Sequence, residues 1–163
     1  MAPLLSEASI HTNTSGVFKG FYKDRNTGIG KFGGTAGNAL ERIKGEITLN
    51  PPILSGKNTP YTVYQSDANE LSSKVFADVA YLDPPYNQHP YGSNYFMLNV
   101  ILKNEIPQNI SAVSGIVSDW NRSNYNKKAK IHDSLEEVIK NLNVKYILLS
   151  YNSEGFLTYD EII

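Results

Sequence analysis

The chain of 163 residues contains no cysteine, so disulfides and thiolate metal sites are excluded. Histidine is scarce as well. His11, His89 and His132 stand without the spacing of metal ligands, and no metal site is expected. Long apolar runs are absent: the stretch around Tyr95 to Leu102 is far too short to span a bilayer, so no membrane partner is expected. The opening "MAPLLSEASI" lacks the basic region and apolar core of a secretory signal, and a cytoplasmic location is the default expectation. No sign of charge dominates, since the formal net charge is −1. What remains is an ordinary globular balance, 40% hydrophobic and 19% charged, in a chain long enough for one core.

The charge is unevenly placed. Lys19, Lys23, Arg25, Lys31, Arg42 and Lys44 face only Asp24 and Glu41 between Lys19 and Lys44, a local +4. Arg122, Lys127, Lys128 and Lys130 face only Asp119 between Asp119 and Lys130, a local +3. Two basic islands on an otherwise acidic chain suit a polyanion that touches two loops. A solvated surface is the plainer explanation.

Along the chain, Met1 to Ser9 has no periodicity and reads as a frayed end. His11 to Gly37 is rich in Gly, Asn, Thr and Ser with aromatics interleaved, and "KFGGTAG" is loop chemistry. Asn38 to Gly45 reads as a short helix, and Ile47 to Leu54 as extended chain broken by Pro51 and Pro52. Tyr61 to Gln65 and Val75 to Leu82 have the composition of strands. Gly92 to Leu102 has helical apolar spacing; Asn104 to Tyr125 reads as a polar loop. Ile131, Leu135, Val138, Ile139 and Leu142 mark one face of a helix, and "YILLSY" (Tyr146 to Tyr151) is a strand of the buried type. Strand, helix and strand in alternation predict an α/β parallel sheet with the strands near Tyr61, Val79 and Ile147 as neighbours.

Ligands of open parallel sheets bind outside the carboxyl ends of the strands. Asp83 falls at such an end in "VAYLDPPY", as do Asp67 and the run Ser150, Tyr151, Asn152. Pro84 and Pro85 donate no amide hydrogen bond, and Asp83, preceding a proline, is pushed to an extended conformation. A stiff turn results, with a carboxylate and a rigid carbonyl side by side. Two acceptors match the two hydrogens of an exocyclic amino group. The ring of Tyr86 is then placed to stack on the base that carries it, a contact of about 1–3 kcal/mol. A simple strand-terminating turn is the bland alternative.

"DPPY" (Asp83, Pro84, Pro85, Tyr86), set in "YLDPPYN" and followed by "YGSNYFMLNVI" and "KYILLSYNSEG", resembles the catalytic half of adenine-specific DNA methyltransferases of the restriction–modification type. "GKFGGTAGNALERIKGEITL" is similar to the segment that precedes that half. The resemblance implies transfer of a methyl group from S-adenosylmethionine to the amino nitrogen of an adenine flipped out of double-stranded DNA. It implies a partial Rossmann-like sheet over residues 59–163, preceded by a loop-rich target-recognition segment over 1–58. The family's glycine-rich cofactor loop after a first strand is missing: "GIGKFGG" does not follow a buried strand. The chain is therefore expected to be a fragment with an incomplete cofactor site, and to expose an apolar patch or self-associate through an uncovered sheet edge.

The resemblance assigns catalysis to Asp83, Pro84, Pro85 and Tyr86, and contact near the cofactor's adenine to Asp67. As a bare residue Asp67 is equally a helix N-cap. Asn87, Tyr91, Asn94, Ser150 and Asn152 are candidates for the base pocket, with Tyr95 either there or in the core. The two basic islands, residue by residue as named above, are candidates for DNA phosphate contacts. Trp120, Arg122, Tyr125 and Lys127 could reach DNA, although a lone tryptophan more often anchors its loop. The competing expectations are a DNA-binding module without catalysis, and a cytosine or glutamine side chain in place of adenine.

Overall fold

The computed structural model describes residues 1–12, 18, 22–23, 26, 30–31, 43–111 and 116–163, of which 22–23 and 30–31 as backbone alone. The glycine loop "KFGGTAG", most of the helix expected from Asn38, and Lys19, Arg25 and Arg42 lie outside the described residues. The chain forms two compact units. One comprises Met1–Lys57 and Tyr91–Asn121, the other Asn58–Pro90 and Arg122–Ile163.

In the first unit, Met1 to Ser9 is not frayed. Helix α1 (Ala2–Ile10) begins with proline in its first turn, where the missing amide costs nothing, and the Met1 carbonyl accepts the Leu5 amide at 3.1 Å. A short antiparallel ladder joins β1 (Tyr22–Lys23) to β2 (Gly30–Lys31). Helices α3 (Tyr91–Asn94) and α4 (Phe96–Lys103) cover the predicted helical span in two pieces, and α1 packs beside α4. Phe18 enters between the two pieces. Its amide donates to the Asn94 carbonyl (2.6 Å), its carbonyl accepts the Met97 amide (2.8 Å), and its ring stacks on Tyr95. Helix α4 stops at Asn104, whose φ of 53° is tolerable because a short polar side chain suits the left-handed region.

The second unit carries the sheet. Helix α2 (Ala68–Ser72) precedes β3 (Phe76–Leu82); helix α5 (Ile131–Asn141) precedes β4 (Asn143–Leu149); α6 (Tyr159–Ile162) closes the chain with a Thr158–Glu161 capping box. Strands β3 and β4 are parallel, with Val79 opposite Tyr146 and Leu82 opposite Leu149. The predicted apolar face of α5 holds: Ile131, Leu135 and Val138 are buried with Tyr125 and Leu157. Leu82 and Leu149 pack onto this core from one side of the sheet. The sheet's other side carries Val79 (55% exposed), Tyr81 (62%), Tyr146 (70%) and Leu148 (61%).

Two expectations need correction. Tyr61 to Gln65 forms no strand and joins no ladder among the described residues, and Tyr61, Val63 and Tyr64 are exposed. Strand composition becomes a strand only when a neighbour takes up its backbone groups. "YILLSY" is a strand to Leu149, as predicted, yet Tyr146 and Leu148 are not buried. Burial is a property of what lies opposite, which strand composition does not specify.

Candidate active site

The end of β3 is built from a loss of hydrogen-bond donors. After Leu82, whose carbonyl accepts the Ser150 amide at 2.8 Å, the chain enters Asp83-Pro84-Pro85 with no amide from the two prolines. Asp83 is exposed; Pro84, Pro85, Tyr86 and Asn87 are half-buried. No hydrogen bond reaches the Asp83 carboxylate or the Pro84 carbonyl among the described residues. Further on, two carbonyls are held: Tyr86 accepts the Phe156 amide at 2.9 Å, and Asn87 accepts the Asn126 side-chain amide at 2.8 Å. The turn is thus clamped at Tyr86 and Asn87 and left open before them among the described residues.

Tyr86 is held by its ring as well. It meets Tyr151 edge-on, with ring centroids 6.3 Å apart at 71°. The Tyr151 hydroxyl accepts the Leu157 amide at 3.3 Å, and burial pushes its pKa up. Gly155 closes the loop under this pair. A Cβ there would lie 2.5 Å from the Tyr151 ring and 2.9 Å from the Asn152 carbonyl, so no larger residue fits without displacing them. Asn152 is exposed and its side-chain oxygen accepts the Glu154 amide at 2.7 Å, which makes the loop's first turn.

Asp67 stands at the start of α2 as its N-cap, accepting the Asn69 amide on one carboxylate oxygen at 2.8 Å. Asn69 then donates to the Ser134 carbonyl (3.0 Å) and the Glu137 carboxylate (2.6 Å) on α5, and accepts the Tyr125 hydroxyl at 2.9 Å. Tyr125 is 8% exposed; desolvation, then the Asp67 and Glu137 charges, push its hydroxyl up to about 12. It belongs to the core, and the expectation that it reaches DNA is overturned.

The second basic island begins beside the motif turn. Ser123 caps a 3₁₀ turn (Asn124–Asn126), and Asn126, which reaches Asn87, directly precedes Lys127. Lys127 is exposed and its ammonium donates to the Asn124 side chain at 3.2 Å; Lys128, Lys130 and Arg122 are exposed as well. Of the first island, Lys44 is exposed, while the side chains of Lys23 and Lys31 are not described. Tyr91 and Asn94 belong to the other unit. Tyr91 is exposed there, and the Asn94 side-chain oxygen is buried with no hydrogen-bond partner among the described residues. Sequence reasoning missed Asn69, Asn126 and Gly155. Only Gly155 left a signal, as a glycine three residues past Asn152.

The short parallel sheet thus ends in a turn that presents, among the described residues, an unpartnered carboxylate, a proline carbonyl and a braced aromatic ring. Residues 17–162 match the D12 class of N6 adenine-specific DNA methyltransferases, and the chain belongs to that family. It is 30% identical over 164 residues to the type II methyltransferase M.NlaIII of Neisseria lactamica, covering 99% of this chain and 44% of that protein. It is 32% identical to the type II methyltransferase M.CviAII of Paramecium bursaria Chlorella virus 1, covering 100% and 44%. It is 28% identical to the modification methylase StsI of Streptococcus sanguinis, covering 99% and 23%. The chain thus spans less than half the length of these curated relatives. No solved structure matches it.

Proposed function

We propose that the chain carries the catalytic half of a site-specific adenine DNA methyltransferase. Residues 59–163 form part of a Rossmann-like domain and 1–58 part of the target-recognition segment. One observation carries the reading: an exposed carboxylate and an adjacent proline carbonyl, both without hydrogen-bond partners among the described residues, beside a half-buried ring.

The amino nitrogen of adenine is a poor nucleophile because its lone pair is delocalised into the ring. Asp83 and the Pro84 carbonyl accept its two hydrogens, which favours a pyramidal nitrogen and stabilises the positive charge that grows as it takes up a methyl group. Asp83 holds the proton that the nitrogen then loses. Tyr86 stacks on the flipped base and offsets part of the few kcal/mol that flipping costs. Asn87, Ser150 and Asn152, of the same unit as Tyr86, shape the base pocket.

S-adenosylmethionine, when bound, would supply an electrophilic sulfonium methyl group, with its demethylated thioether as the neutral leaving group. Of the described residues, Asp67 suits it with the one carboxylate oxygen not engaged in the helix cap. Since the glycine-rich loop is missing from the sequence, the residues present make part of a cofactor site only. Double-stranded DNA is held at its phosphates by Arg122, Lys127, Lys128 and Lys130, and by Lys19, Lys23, Arg25, Lys31, Arg42 and Lys44. The apolar side of the β3–β4 sheet is covered by another polypeptide, a second copy in the simplest case, and the protein works in the cytoplasm.

A second reading, a DNA-binding module without catalysis, is favoured by the engagement of Asp67 as a helix cap. Calorimetry with S-adenosylmethionine, paired with transfer of a labelled methyl group to adenine-containing duplex, separates the two. Micromolar binding and labelled adenine support the first. Retained DNA binding without either supports the second.

A further inference from the structure

Tyr125 and Asn126 are adjacent in a 3₁₀ turn, yet their side chains go to two different places. The Tyr125 hydroxyl donates between two acceptors, the Asn69 side-chain oxygen at 2.9 Å, two residues from Asp67, and the Ser134 carbonyl of α5 at 3.1 Å. The Asn126 side-chain amide donates to the Asn87 carbonyl at 2.8 Å, one residue from Tyr86. The turn itself is fixed at both ends: Ser123 accepts the Tyr125 amide at 3.2 Å, and the Lys127 amide closes on the Asn124 carbonyl at 3.0 Å. Tyr125 is anchored further by burial among Ile131, Leu135, Val138 and Leu157. Neither contact is needed to form β3, β4 or α5, whose backbone groups pair without them.

We propose that Tyr125 and Asn126 are positioning residues, a two-sided latch that holds the Asp67 turn and the Asp83–Asn87 turn in fixed register at the end of the sheet. The register matters for methyl transfer only if the reading under Proposed function holds; the latch itself is a statement about this chain. The chemistry is specific. Asn126 must be a donor, because its partner is a carbonyl. Tyr125 needs its hydroxyl, because the ring alone would fill the core. Adjacent residues cannot serve two turns independently: a shift of one turn is carried to the other through a single peptide unit. A displacement of about 1 Å at such a site can cost on the order of a hundredfold in rate.

Two nearly isosteric variants of the 163-residue chain test this, Asn126→Asp and Tyr125→Phe, read by residue-resolved amide hydrogen exchange. A net hydrogen bond of ordinary strength corresponds to about a three- to tenfold change in local opening. Asn126→Asp is expected to speed exchange by that factor at the Phe156 amide, bonded to Tyr86, and at His89, with α5 unchanged. Tyr125→Phe is expected to do the same at the Asn69 amide. Asn126→Ser, a shorter donor, should restore part of the protection, and it stands in if Asn126→Asp does not fold. Unchanged exchange at these amides, or a uniform rise across the unit, overturns the latch. If the unaltered chain methylates adenine, the rate constant should fall in both variants with KM for DNA unchanged; a change in KM alone also overturns it. If the unaltered chain has no activity, the catalytic reading fails and exchange still decides the latch.

Discussion

Asp67 and Asp83 are the same residue at comparable places, one before α2 and one after β3, and the structure uses them in opposite ways. Asp67 folds its carboxylate back onto the amide two residues on, and the helix that follows depends on that cap. Asp83 has no such amide to reach, because Pro84 and Pro85 follow it. Its carboxylate stays exposed and unpartnered among the described residues. A carboxylate that satisfies its own backbone is structural. One denied that option stays open.

The sharpest way to break this contrast is to remove the free carboxylate. In an enzyme carrying this half, Asp83→Ala should lower the methylation rate about 100- to 1000-fold. The unfolding midpoint and DNA affinity should hold, since no partner of Asp83 is lost. Unfolding of the variant, or methylation at the parent rate, would make Asp83 structural or irrelevant.

The next way is to make Asp83 resemble Asp67. Pro85→Ala restores an amide two residues after Asp83 and lets the carboxylate cap its own turn. A charge-assisted bond of this kind contributes about 1.5–3 kcal/mol, so a competing one should slow methyl transfer about tenfold or more. Full activity in Pro85→Ala would show that denial of the amide is not what keeps Asp83 available.

Asp67→Ala should lower stability by about 1 kcal/mol in urea titration, the usual cost of a lost N-cap. A larger loss of S-adenosylmethionine binding than of stability would move Asp67 toward the ligand side of the comparison. The smallest effect concerns the network behind Asp67. The Tyr125 hydroxyl is pushed up to about 12 when folded, from an ordinary 10.0. The folded state is therefore fully favoured below pH 10, and that contribution is lost as pH rises from 10 towards 12. Tyr125→Phe should flatten the decline of the thermal midpoint over that window; an unchanged slope would place the titration elsewhere.

The sequence made the site legible where chemistry is local. Two prolines remove two amides wherever they stand, so the open turn at Asp83 follows from "DPPY" alone. The helix over Ile131–Asn141 follows from the spacing of Ile131, Leu135 and Val138, and β3 and β4 from their β-branched and aromatic runs. Long-range partners were not legible. Asn126 reaches Asn87 across 39 positions, Tyr125 reaches Asn69 across 56, and nothing in either residue type announces it. Tyr61 to Gln65 and Met1 to Ser9 failed for the same reason in opposite directions. The first has strand composition and no ladder partner among the described residues; the second has no periodicity, yet its helix packs beside α4.

What the sequence determined by itself is what each residue can offer: donors removed by proline, an acceptor at Asp83, a ring at Tyr86, apolar side chains on both sides of two strands. Only the tertiary structure decided which of these offers are taken up. It half-buries Leu82 and Leu149 against the core that holds α5 and leaves Val79 and Leu148 exposed, although all four are aliphatic. The physical reason is that bonding capacity is a property of a residue, whereas burial and pairing are properties of the surface placed opposite it, and that surface comes from residues far away in the chain.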